Sequence, residues 1–318
     1  MKTSHSCPVC GSPDLVLKKS FMRKHLGSEG TTYTYELYQC DKCLNQHWSP
    51  LKHPGKEYYE NENDSIYADM HKGRTKIVEE RHLKFFSDYD NLPKSRILDI
   101  GCSDGLVLDQ LKKMGHEVWG IDIDSISTQI AKNRGLENIF CMQWSDFLNL
   151  ARKKNLQFDL ITMFDVLEHV TDPVTFLNEI NLLLKDGGSI VITVPNRERY
   201  LRDFIKTDFP PHHFFRFNEK SLRELAFISG YKVSKMNIIQ YGYTSKIATN
   251  LLSKLVKNKI KNKQKQKQPF TTNEPEIQDH SNSKLKLIKL IQNLLFIPTF
   301  PLEIIFSKGY KIYTVISR

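Results

Sequence analysis

The chain has 318 residues, is 40% hydrophobic and 11% aromatic, and carries a formal charge of +10. That apolar share is enough for a packed core and excludes a chain disordered throughout. No run of 18 apolar residues occurs, which argues against a spanning helix, and Met1-Lys-Thr-Ser-His-Ser6 lacks the apolar stretch of a secretory signal, so a cytoplasmic location is expected.

Cys7-Pro-Val-Cys10 and Cys40-Asp-Lys-Cys43 are two C-x-x-C knuckles, a spacing that lets each pair bite one tetrahedral ion. The 29 residues between them exceed the common ribbon spacing; the alternation in Thr32–Tyr38 predicts a hairpin that carries the second knuckle. In a reducing compartment such cysteines favour metal over disulfides, and four thiolates leave no open position, so structural Zn²⁺ on Cys7, Cys10, Cys40 and Cys43 is expected. Residues 1–55 are predicted to form this zinc ribbon. Residues 56–94 form a helical lead-in, with Ile77, Val78, His82, Phe85 and Phe86 on one side of a helix from Thr75 to Tyr89.

Ile97-Leu-Asp-Ile-Gly-Cys-Ser-Asp-Gly105 reads as a strand running into a turn, with a helical pattern opening at Leu106. The next strand ends at Asp122, and an acid about 20 residues past such a turn is placed to grip a ribose. A dinucleotide G-x-G-x-x-G would need glycines at 101, 103 and 106; Ser103 and Leu106 stand there instead. Next come a short apolar strand, Asn138–Met142, the segment Gln143-Trp-Ser-Asp-Phe147 and a buried strand, Phe158–Phe164. Asp165-Val-Leu-Glu168-His169 leads to Asp172 and Pro173, the cap and first residue of a helix. A turn at Lys185-Asp-Gly-Gly188, a strand over Ser189–Val194, a helix from cap Asn218 to stop Gly230 and a strand over Tyr231–Gln240 follow. Alternating strands and helices imply a parallel sheet wound on both faces.

Asp99-x-Gly101-x-x-x-Gly105, with the segments after it in order, resembles the class I S-adenosylmethionine (SAM) methyltransferases over roughly residues 95–240. The D/E-x-x-E-H-x-x-D-P segment resembles the small-molecule branch, such as the ubiquinone-pathway O-methyltransferases. The resemblance implies an α/β fold: a doubly wound, mostly parallel, seven-stranded Rossmann-like sheet, here with a small N-terminal zinc ribbon. It implies SAM as cofactor, held by Asp99, Gly101, Ser103, Gly105, Asp122, Ile123, Asp146, Phe147 and Phe164, with Asp146 accepting from the adenine amino group. Ser103 departs from the glycine often found in the middle of that loop. Many bacterial methyltransferases carry a similar ribbon, which implies a substrate-side module.

The acceptor pocket is expected at the C-terminal ends of the strands. Asp165, Glu168 and His169 stand at i, i+3 and i+4 and would share a face on one helical turn. With His213 they are the predicted catalytic residues, His169 or His213 serving as base because imidazole titrates near neutral pH. The small-RNA 2′-O-methyltransferases have a similar Glu-x-x-Glu-His and later His that hold a divalent ion. That likeness implies a second reading, a metal on Asp165, Glu168, His169 and His213. His82, His116 and His47 read as structural, and Cys102 and Cys141 as small core residues.

The methyltransferase domain is expected over 95–242, with residues 308–318 as its last strand, antiparallel to its neighbours. Residues 243–307 form an insertion between them. It holds eight lysines and no acid from Lys246 to Lys267, a middle over Lys261–Ser283 expected to be disordered, and an amphipathic segment over 284–306. The expected partner is a small-molecule or glycan acceptor, methylated at oxygen, with peripheral contact at the inner membrane face through 284–306 as a further reading. An RNA ribose methyltransferase held by the ribbon and lysine run is the alternative; a non-enzymatic ribbon with an inactive SAM fold is the third.

Overall fold

The computed structural model describes residues 6–24, 32–52, 79–199, 208–239 and 309–318. Met1–Ile239 and Lys308–Arg318 form one compact unit; the second, Gln240–Ser307, lies outside the described residues, and with it the expected lysine run and amphipathic segment.

The ribbon is built on β1 (Leu15–Lys24), β2 (Thr32–Cys40) and β3 (Gln46–Ser49), all antiparallel. β1 and β2 form the expected hairpin, Leu15 opposite Cys40, which sets the second knuckle beside the first. Tyr35, Leu37 and Trp48 are among its buried residues, and Phe21 packs edge-on against Trp48 at 5.1 Å.

Helix α1 (Glu80–Asp88) turns His82 and Phe85 inward; Ile77 and Val78, expected on the same side, lie outside the described residues. The central sheet is formed by β4 (Arg96–Ile100), β5 (Glu117–Asp122), β6 (Ile139–Cys141), β7 (Phe158–Phe164), β8 (Leu184–Pro195), β10 (Lys232–Ile239) and β11 (Lys311–Ser317). A two-residue strand, β9 (Phe215–Arg216), belongs to the ribbon sheet instead. The central strand order is β10-β11-β8-β7-β4-β5-β6; β11 runs antiparallel to both neighbours. The C-terminal segment is therefore threaded between β8 and β10, where it completes the sheet.

Both faces of β4 and β7 are covered, so their sequences are almost continuously apolar, as parallel strands require. Ile97 and Leu160 point to one face, against α1, α2 (Leu106–Lys113) and α3 (Ser125–Asn133). Leu98 and Ile161 point to the other, against α4 (Trp144–Lys153), α5 (Pro173–Asn181) and α6 (Glu219–Ile228). The caps expected at Asp172 and Asn218 are made, each side chain accepting from the backbone N–H three residues on. Lys185–Gly188 does not end the preceding element. It bulges inside β8, where Phe158 faces Leu184 but Leu160 faces Ser189.

Candidate active site

The strand order reverses between β4 and β7, and a cavity of about 1010 Å³ opens there at the strand ends. Its first half is the loop after β4. Gly101 has φ +75°, and a Cβ there would stand 2.6 Å from Val166 Cγ2, so glycine is the residue that fits. Ser103 takes φ +49° without being glycine. Its N–H donates to Asp122 Oδ2 at 2.8 Å, and Asp124 N–H donates to Asp122 Oδ1 at 3.0 Å. Asp122 thus ties the loop after β4 to the end of β5 and still faces the cavity. Burial raises its pKa. Asp99 is more deeply buried; Thr162 Oγ1 donates to it at 2.6 Å, yet burial brings its pKa up to about 7.

Of the residues expected at the cofactor, Asp99, Gly101, Ser103, Asp122, Ile123 and Phe164 line this cavity. Three do not. Gly105 lies behind the wall, with φ +73°, and a Cβ there would meet Leu136 Cδ1 at 2.6 Å and Ala131 Cβ at 2.8 Å; it lets the loop close against α3. Because α4 begins at Trp144, the helical rotation sends Phe147 into the core and Asp146 to solvent. Gln143, Trp144 and Ser145 line the cavity in their place.

The second half contains Asp165, Glu168, His169 and His213, all on the cavity wall. They do not share one helical face. Asp165 directly follows β7 with φ +59°, and only Leu167–His169 form a short 3₁₀ turn. Asp165 is ion-paired with Arg81 and Lys311 and accepts from Thr193 Oγ1 at 3.2 Å. Burial opposes its ionisation, but Lys311 and Arg81 outweigh it and pull the pKa down. Asp165 is thus committed to two cations, and the side chains grouped closely enough to hold an ion are His169, His212 and His213.

Glu168 is 1% exposed, and neither carboxyl oxygen has a hydrogen-bond partner among the described residues. Burial, then the charge of Asp165, raises its pKa well above the carboxylate range, so it stays protonated near neutral pH. His169 Nδ1 lies 2.6 Å from the carbonyl oxygen of His212, which can only accept. Nδ1 therefore carries the proton and Nε2 the lone pair. His213 Nδ1 faces Asp208 Oδ1 at 3.2 Å, and its Nε2 stands 3.8 Å from Glu168 Oε1. Burial, reinforced by His169, keeps His213 neutral. His212, from the same loop, packs edge-on to His169 at 4.8 Å between ring centroids.

Sequence reasoning missed Arg81, Lys311 and Asp208, and did not single out Arg199 or His212. Arg81 adjoins His82, which does pack as a buried ring, 5.0 Å from Phe164, its pKa brought down to about 3 by burial and then Arg81. No local pattern marks Lys311; its role depends on where the last strand enters the sheet.

The four ribbon sulfurs lie within 4.8 Å of one another, Cys7 Sγ 3.7 Å from Cys43 Sγ and Cys10 Sγ 3.5 Å from Cys40 Sγ. The hydrogen bond from Cys43 brings the Cys7 thiol down to about 5, whereas burial brings Cys10 up to about 11. Four sulfurs at this spacing, each knuckle closed by a backbone bond (Gly11 N–H to Cys7 O, Leu44 N–H to Cys40 O), fit one tetrahedral ion. No described ribbon residue lines the cavity.

The family model described as a methyltransferase domain matches residues 70–235. Over 117 residues the chain is 32% identical to the ubiquinone biosynthesis O-methyltransferase of Nitrosococcus oceani, covering 36% of this chain and 50% of that protein. The corresponding figures for the enzyme of that name from Xanthomonas oryzae pv. oryzae are 31%, 36% and 49%. The chain thus spans about half the length of the curated relatives it matches. Among solved structures, a SAM dependent methyltransferase from Archaeoglobus fulgidus aligns with 80% of this chain and 100% of its own, at 18% identity and a TM-score of 0.49.

Proposed function

This chain belongs to the methyltransferase-domain family, and on that premise we propose that it moves a methyl group from SAM to an oxygen of a small molecule or a glycan sugar. The observation that carries the reading is a single cavity with two unlike ends: a glycine-turned loop braced by Asp122, and a cluster of imidazoles around a buried acid. Its volume of about 1010 Å³ matches the upper end of small-molecule pockets, about 300–1000 Å³, which leaves room for a cofactor and a compact acceptor. The names of the curated relatives favour a small-molecule acceptor methylated at oxygen.

In this reading Asp122 holds the ribose hydroxyls, the Gly101–Ser103 backbone passes close to the cofactor, and Gln143–Ser145 border the adenine. The cofactor supplies a methyl group already activated by its sulfonium. The chain's task is to orient the acceptor hydroxyl and accept its proton. His169 fits the base: its Nδ1–H is committed to the His212 carbonyl, which fixes the tautomer and leaves Nε2 basic. His213 and protonated Glu168 border the same space, and Asp165 orders Arg81 and Lys311 beside it. Zinc on the four cysteines belongs to this reading, as do the domain limits given above, a cytoplasmic setting and membrane contact through 284–306.

A second reading has a specific observation in its favour. Ligand nitrogens of His169, His212 and His213 lie within 4.8 Å of one another, beside the unsatisfied Glu168 carboxyl. Such a nitrogen-rich set suits a divalent transition ion that would bind the acceptor oxygen. The test is methyl transfer from labelled SAM to pools of small phenols, sugars and RNA, with His169→Ala and a chelator control. Loss of roughly 10²–10⁴-fold in the variant, with SAM affinity kept and chelation harmless, supports the base. Silencing by chelation under conditions that leave one zinc per chain in the ribbon, reversed by added Mn²⁺, supports the ion. Transfer to RNA alone refutes the small-molecule reading, and failure of the wild type to bind SAM refutes both.

A further inference from the structure

The ribbon contributes no described residue to the cavity wall, yet it meets the catalytic domain at the loop that carries two of the cavity's histidines. β3 pairs antiparallel with β9, Gln46 opposite Arg216 and His47 opposite Phe215, so the ribbon sheet runs on into the catalytic domain. Trp48 N–H donates to the Phe214 carbonyl at 2.9 Å, directly after His213. On the other side of the same residue, Phe214 N–H donates to the Glu168 carbonyl at 2.9 Å. Phe214 therefore bridges the ribbon and the 3₁₀ turn of Glu168 and His169.

A second line of contacts runs through Arg216. Its guanidinium lies over the Trp48 ring at 5.3 Å and over Phe209 at 5.0 Å, and it donates to the Asp208 carbonyl at 3.2 Å. The Asp208 carboxylate orients His213 Nδ1 and pairs with Arg199. Trp48 is fully buried at this junction, 5.6 Å from Phe209. The start of β3 is set by the second knuckle: Leu44, just after Cys43, takes φ +62°, and its carbonyl accepts from Arg197. The four cysteines that fit a metal ion thus fix the strand that fixes the histidine loop.

Building on the acceptor site argued above, we propose that the ribbon is a positioning module for that site: Trp48 and Arg216 transmit the order imposed by the ribbon's metal to residues 208–217. The cofactor end lies outside this chain of contacts. Its loop is braced by Asp122 and the end of β5, and no described ribbon residue lines the cavity there.

The test is hydrogen exchange on the full-length, zinc-loaded chain, compared with chelator-treated protein, Trp48→Ala and Trp48→Phe, with SAM affinity measured by calorimetry on each. Chelation and Trp48→Ala should each speed exchange at amides 209–216 at least tenfold, leave β4 and β5 protected, and change SAM affinity by less than about threefold. Trp48→Phe, which keeps an aromatic surface for Arg216, should restore most of the protection. Zinc returned to the stripped protein should restore it fully. Unchanged exchange at 209–216 after chelation overturns the proposal, and so does loss of protection throughout the central sheet, which would make the ribbon a general folding element. Arg216→Ala gives an independent reading: unchanged exchange at 209–216 in that variant removes Arg216 from the pathway. A wild type that fails to bind SAM would refute the proposed reaction and leave these exchange results standing.

Discussion

In the proposed reading Asp122 performs two tasks with one carboxylate, bracing the loop and holding the ribose, and its replacement separates them. Each oxygen accepts one backbone N–H, from Ser103 at 2.8 Å and Asp124 at 3.0 Å, and the carboxylate also faces the cavity. Hydrogen bonds to a charged group contribute about 1.5–3 kcal/mol each. Loss of one such bond to a ribose hydroxyl weakens SAM binding about 10- to 150-fold, since about 1.4 kcal/mol is a factor of ten. Release of Ser103 adds to this, because its left-handed backbone, φ +49°, then has no carboxylate to hold it. Asp122→Ala should therefore bind SAM at least tenfold more weakly by calorimetry and unfold at lower urea. Asp122→Asn keeps one acceptor oxygen but turns an amide N–H₂ toward a backbone N–H, so its affinity should fall as well. If Asp122→Ala is less stable but binds SAM with wild-type affinity, the carboxylate braces the loop and the ribose assignment is refuted.

Two further outcomes follow from the same geometry. Protein purified without added metal should carry one zinc per chain, and Cys40→Ser should lower that ratio sharply; a ratio near zero in the wild type would contradict the ribbon. Asp99, with its folded pKa brought up to about 7 from an unfolded value near about 3.9, holds its proton better in the native state, so its contribution to stability declines as pH rises from about 4 to about 7. Asp99→Asn, which can still accept from Thr162, should remove a decline of a few kcal/mol over that window in denaturant titrations; identical pH profiles for the two proteins would show that Asp99 ionises freely.

The cofactor end was legible in the sequence because its chemistry is local. A strand, a turn needing positive φ and an acid at the end of the next strand are set by neighbours along the chain, and Gly101, Ser103 and Asp122 sit where that pattern puts them. The two cysteine knuckles were legible for the same reason, each being a four-residue turn. Where helical phase mattered, the motif was too coarse: α4 begins at Trp144, which sends Asp146 to solvent and Phe147 into the core. The acceptor end was decided by packing between distant segments. Asp165 is paired with Arg81, 84 residues earlier, and with Lys311, 146 residues later. The pairing of β3 with β9 joins segments with five of the seven strands of the central sheet between them. Periodicity and spacing describe what one element does with its own side chains. Which charge neutralises which, and which strand edge finds a partner, depends on the order in which the sheet is assembled, and that became visible only in the tertiary structure.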